Sequence, residues 1–145
     1  AIYPEITELL SRRHTISVCI CVMSAIEIDG VVFEPNEIRF LRRVVRDYHF
    51  RNSSVEHTFY LWKGVRMGED RYLFPFSDRA DIRIDSIHPY EVCIFKDIAI
   101  KLLDHIGSDS IYYHSASELK DKLSHFISLS EGDVPGTSLL KEFIG

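Results

Sequence analysis

Arg39, Arg42, Arg43 and Arg46 stand in the stretch Arg39-Phe-Leu-Arg42-Arg43-Val-Val-Arg46-Asp47. At about 100° per residue, this spacing gathers four guanidiniums within an arc of about 100° on one helix. Guanidinium forks bind phosphate oxygens bidentately and stay charged at any working pH, so the chemistry these residues suit is recognition of phosphate or a small polyphosphate. Ile38, Phe40, Leu41, Val44 and Val45 take the rest of the cylinder and mark it as core. Like charges at this spacing weaken a helix by a few tenths, roughly, of a kcal/mol per i, i+4 pair, a repulsion that an anionic ligand would relieve. The alternative is a solvated face whose arginines pair with Asp47 and other acids. Arg51, Arg66 and Arg71 add positive charge in the following segments.

The elements that must position this strip belong to a chain of 145 residues, 46% hydrophobic and 27% charged, which suits one globular domain spanning 1–145. A net charge of -5 argues against nucleic acid or an anionic membrane as partner, since both reward a broad basic surface. Cys19, Cys21 and Cys93 are odd in number and read as reduced thiols, and no apolar stretch approaches the roughly 20 residues of a membrane span, so a cytoplasmic setting is expected. The chain begins at Ala1, consistent with processing or with a piece of something longer.

Residues 3–13 read as a short helix with Pro4 in its first turn. Residues 15–23 are β-rich and nearly continuous in apolar character, the pattern of a strand buried on both faces of a parallel sheet. Asp29-Gly30 marks a turn, followed by loop to Pro35 and then the arginine helix over about 36–49. Ser53 or Ser54 caps a helix expected to run to Lys63, with Gly64 as its stop. Residues 65–79 look irregular, 80–85 alternate like a short strand, and Pro89 opens a helix to about His105. A short strand at 110–114 and a capping box at Ser115-Ala-Ser-Glu118, opening a helix to about Ser128, complete the pattern before an amphipathic tail. Phe33-Glu-Pro-Asn-Glu37 is faintly echoed by Ile87-His-Pro-Tyr-Glu91, both as helix starts.

Several ordered motifs carry a resemblance. Arg39 to Asp47, Phe50-Arg51-Asn-Ser, Trp62-Lys-Gly-Val-Arg66-Met-Gly-Glu69, Tyr72-Leu-Phe-Pro-Phe76, Ala80-Asp-Ile and Val134-Pro-Gly-Thr-Ser-Leu-Leu-Lys-Glu-Phe-Ile-Gly145 resemble the lid, late strand and C-terminal signature of uridine kinase-like P-loop kinases. The closer match is the bacterial branch often fused to domains like those of threonyl-tRNA synthetase. The resemblance covers nearly the whole chain. It implies an α/β fold with part of a P-loop-kinase-type parallel sheet and flanking helices, a lid over about 36–79, and a parent enzyme that transfers phosphate from ATP, with Mg2+, to a nucleoside hydroxyl. It further implies that Arg39, Arg42, Arg43 and Arg46 supply phosphate ligands, supported by Asp47, Arg51 and Arg66, with Asp47 orienting arginines rather than acting as a base.

The departure is equally informative. A P-loop needs Gly-x-x-x-x-Gly-Lys-Ser/Thr, and no Gly-Lys dipeptide occurs in the chain. What remains resembles the C-terminal half of such a kinase, inactive alone, whose sheet a missing N-terminal half or another chain would complete; assembly into a homo-oligomer is compatible with it. Seven histidines show no metal-ligand spacing, and no metal ligand is assigned. The second reading is a non-catalytic, all-helical metal-binding or interaction module resembling tellurite-resistance proteins of the TerB type, built around Asp29-Gly30 and Glu37.

Overall fold

Strands and helices both appear in the computed structural model, which describes residues 8–10 and 14–145. The helix expected over 3–13 lies largely outside these residues. Strand β1 (Val18–Cys21) pairs in parallel with β4 (Ile82–Asp85), with Val18 opposite Ile82 and Ile20 opposite Ile84. The ribbon is pinned at both ends. Ser17 donates from its backbone and its hydroxyl to Asp81 Oδ2 at 2.8 and 2.7 Å, and Asp85 accepts from Met23 N, Ser24 Oγ and Ile87 N at 2.9, 2.6 and 3.1 Å. Contrary to the apolar run's appearance, β1 is not covered on both faces. Cys19 is buried, whereas Val18 and Ile20 are 45% and 62% exposed, so the face they share lies open, and β4 is the only strand beside β1 among the described residues.

The loop expected before the arginine helix contains an antiparallel hairpin, β2 (Ile26–Ile28) and β3 (Val31–Phe33). Its two-residue turn places Asp29 at φ 51° and Gly30 at φ 79°, the left-handed pair that matches the twist of such hairpins. Helix α1 (Pro35–Arg51) follows, slightly longer than expected, with Glu34 N donating to Glu37 Oε2 at 2.9 Å. It ends at Asn52, whose left-handed backbone at φ 48° donates to Asp47 O.

Helix α2 (Val55–Tyr72) starts where Ser54 Oγ accepts from His57 N at 3.2 Å, but it does not stop at Gly64. A helical glycine costs only about 1 kcal/mol, and the Arg66 pairs with Glu69 and Asp70, one turn on, offset part of it. The segment that looked irregular is thus the end of α2 and the short α3 (Phe74–Ser77). The strand expected at 110–114 is absent: Tyr113 N donates to Ser110 O at 3.1 Å in a turn. That turn leads into α5 (Tyr113–Ser124), two residues ahead of the expected cap at Ser115.

The core lies between α1, α4 (Glu91–Leu103), α5 and the terminal α6 (Lys141–Ile144). Phe33, Ile38, Leu41, Phe95, Leu103, Leu123 and Leu140 are fully buried there, with Phe33 edge-on to Phe126 at 5.2 Å. The architecture is mixed α/β, with a two-strand parallel sheet and flanking helices, so the all-helical module is not the fold observed.

Candidate phosphate-binding site on the arginine helix

All four arginines project from α1, and none stands bare. Arg42 is 7% exposed. It forks onto the fully buried Glu91 at the start of α4, with Nε to Oε2 at 2.5 Å and Nη2 to Oε1 at 2.9 Å. Nη2 also donates to Ser86 O at 2.6 Å, and the guanidinium lies 5.3 Å from the Phe143 ring centroid. Glu91 in turn accepts from His88 N at 2.9 Å, the same reach-back that Glu37 makes to residue 34, so the echoed Pro-x-Glu segments share one helix-start geometry.

Arg39 points to the other flank, where it forks onto Glu69 of α2: Nη1 meets Oε2 at 3.0 Å and Nη2 meets Oε1. Arg66 reaches the same Oε2 at 3.1 Å and Asp70 Oδ1 at 3.1 Å. Phe74 lies under both guanidiniums, 5.7 Å from Arg39 and 5.4 Å from Arg66, and Trp62 is 5.8 Å from Arg39. Burial, followed by repulsion from Arg66, lowers the Arg39 pKa from its ordinary value. An arginine remains charged despite such a shift.

Arg43 Nε lies 3.2 Å from Asp47 Oδ2, close enough for attraction but not aligned as a hydrogen bond. Arg46 Nη1 is 3.6 Å from Glu142 Oε1, with Phe143 at 5.9 Å, and its buried Nε has no hydrogen-bond partner among the described residues. Asp47, 2% exposed, accepts from Arg51 Nη1 at 2.9 Å and from Thr58 Oγ1 at 3.2 Å, joining the end of α1 to the start of α2.

Each arginine of the strip expected to bind phosphate thus already faces a carboxylate of the chain, Glu69 for Arg39, Glu91 for Arg42, Asp47 for Arg43 and Glu142 for Arg46. Carboxylates within the chain already relieve the repulsion that an anion would otherwise relieve. Sequence reading did not single out Glu69, Glu91, Phe74 or Phe143 as partners, although Glu69 stands inside a quoted motif and Glu91 ends the echoed one.

Burial, then Cys19, raises the Cys21 thiol above its ordinary value, and burial raises that of Cys93. Glu37, a residue of the metal-module alternative, is engaged by Lys122 Nζ at 2.6 Å, and no group of three or more His, Cys, Asp or Glu able to hold a metal occurs among the described residues. An open groove of about 710 Å³ runs along α4, between Tyr48, Ile98, Lys101 and Leu129, with no arginine in its lining. No helix among the described residues is long and apolar enough to cross a membrane. No family model matches the chain, and neither a curated protein nor a solved structure matches it.

Proposed function

We propose that the chain is the C-terminal, lid-bearing part of a nucleoside kinase of the uridine kinase-like type, whose parent transfers phosphate from ATP to a nucleoside hydroxyl. The observation that carries this reading is the β1–β4 ribbon. Its strands run parallel, and Val18, Ile20, Ile82 and Ile84, paired in register on one face, are 45%, 62%, 47% and 44% exposed. Parallel sheets are ordinarily covered on both faces, so four β-branched side chains in the open suit a sheet whose remaining strands and helices come from an N-terminal half or another chain. The α1–α2 pair that connects the two strands carries the arginines, as a lid would.

The residues present do not by themselves make a site for ATP and magnesium. The chain contains no Gly-Lys step for a phosphate cradle, so the purified chain is expected to release no ADP when given ATP, magnesium and uridine. Turnover under those conditions would refute the reading of an incomplete enzyme. The coding frame upstream of Ala1 is expected to hold Gly-x-x-x-x-Gly-Lys-Ser/Thr, and a continuous upstream frame without it would remove the kinase family.

A further inference from the structure

Arg39 and Arg66 come from neighbouring helices and converge on one carboxylate. Both Nη1 atoms reach Glu69 Oε2, at 3.0 and 3.1 Å, while Oε1 takes only the second nitrogen of Arg39. The Phe74 ring lies against both guanidiniums. Arg42, by contrast, is locked between Glu91 and Ser86 in the interior. The arginines of the strip are thus unequal. Arg42 has no fork left for a ligand, whereas Arg39 and Arg66 hold a carboxylate that is itself a side chain of a surface helix and 13% exposed.

We infer that Arg39 and Arg66 form a two-arginine clamp for a terminal phosphate group, and that Glu69 is its internal occupant, which the phosphate displaces. A carboxylate offers two oxygens and leaves one of them shared between two donors. A terminal phosphate offers three, so each guanidinium can take its own pair with one shared corner once Arg66 Nη2 leaves the exposed Asp70 Oδ1, now 3.1 Å away, and it carries more charge between two cations. Arg66 and Glu69 lie one turn apart on α2, whereas Arg39 lies on α1. The exchange therefore replaces an α1–α2 tie made by Glu69 with one made by the ligand. Glu69 sets the affinity threshold: without phosphate the helices stay tied, and only an anion that satisfies both arginines better than a carboxylate enters. This inference draws on the lid reading only for the ligand class.

The test uses inorganic tripolyphosphate and calorimetry on the 145-residue chain, with no turnover involved, so failure of the clamp and failure of the kinase reading are separate results. Glu69→Gln is expected to bind tripolyphosphate at least tenfold more tightly than wild type. Arg66→Ala or Arg39→Ala added to Glu69→Gln is expected to abolish that gain. Glu118→Gln on α5 changes net charge equally and is expected to leave affinity unchanged. Equal affinity of Glu69→Gln and wild type, or a gain that survives loss of Arg66, overturns the clamp. In the wild-type chain, saturating tripolyphosphate is expected to shift the side-chain 15N resonances of Arg39 and Arg66 and to leave those of Arg42 in place. Resonances of Arg39 and Arg66 that do not move at millimolar ligand overturn it independently of any variant.

Discussion

Replacing Arg42 by alanine separates two roles that the same residue could play. If Arg42 is the pin of the α1–α4 seam, its loss strands Glu91, which is fully buried and keeps, among the described residues, a bond from His88 N at 2.9 Å. Breaking a buried ion pair from one side costs about 3–5 kcal/mol, because a charge is left without its partner in a poorly solvated place. Ser86 O loses a 2.6 Å bond as well, worth about 1 kcal/mol. Against a total stability of about 5–15 kcal/mol this is a large fraction. For a chain of this length it corresponds to a drop of roughly 10–20 °C in Tm.

Urea unfolding followed by the fluorescence of Trp62, the chain's one tryptophan, reads the loss directly. A double-mutant cycle with Arg42→Met and Glu91→Leu isolates the pair: each single change is expected to be costly and the double change much less so, with a coupling of about 2 kcal/mol or more. A loss below about 1 kcal/mol for Arg42→Ala, or a coupling near zero, would refute this account. A phosphate ligand that did not also hold the fold would behave oppositely, losing anion affinity while its melting temperature stayed put.

Gly64→Ala and Gly68→Ala should each stabilise the chain by about 0.5–1 kcal/mol in thermal melts, because a Cβ at either position meets nothing within 4 Å and both lie inside α2; destabilisation would mean that the helix does stop at Gly64. Asp85 should govern part of the acid limb of stability. Burial opposes its ionisation, but the hydrogen bonds from Ser24, Met23 and Ile87 together outweigh that and hold its pKa below the ordinary value. Its contribution is then present above the unfolded value of about 3.9 and lost as pH falls through the lower folded one, so Asp85→Asn should flatten the decline in urea midpoint below about pH 4, and an unaltered decline would count against it. Ile20→Ser with Ile84→Ser should cost the isolated chain less than about 3 kcal/mol, since Ile20 is 62% and Ile84 44% exposed; a larger loss would show that something within the chain covers this face.

How far the sequence reaches depends on the range of the interaction. Helix α1 was legible because its periodic apolar face and Pro35 act locally, and β4 was legible from its alternation. The Asp29-Gly30 turn was visible, but the hairpin around it was not, because three-residue strands such as β2 and β3 give too short a pattern to separate from loop. Gly64 misled because a glycine signals a stop only when its backbone turns left-handed, and here helix-spaced pairs from Arg66 carry α2 onward. Ser110–His114 misled in the same way. The stretch contains β-formers, but with no strand among the described residues paired to it, Ser110 closes a turn onto the start of α5 instead.

The arginine strip marks the limit more sharply. Periodicity placed four guanidiniums on one arc, and it could not say what faces that arc, since the answers come from Glu69, 30 residues beyond Arg39, and Glu91, 49 beyond Arg42. Those two carboxylates divide a strip that looked uniform. Glu91 is sealed at the start of α4 with a backbone donor of its own, so removing it from Arg42 would leave both charges buried and unpaired. Glu69, 13% exposed, shares one oxygen between Arg39 and Arg66, so an incoming anion would take over both partners and leave neither guanidinium bare. On the proposed clamp, phosphate competition would be confined to the Arg39 flank of the helix, while the Arg42 flank would hold that helix still during the exchange.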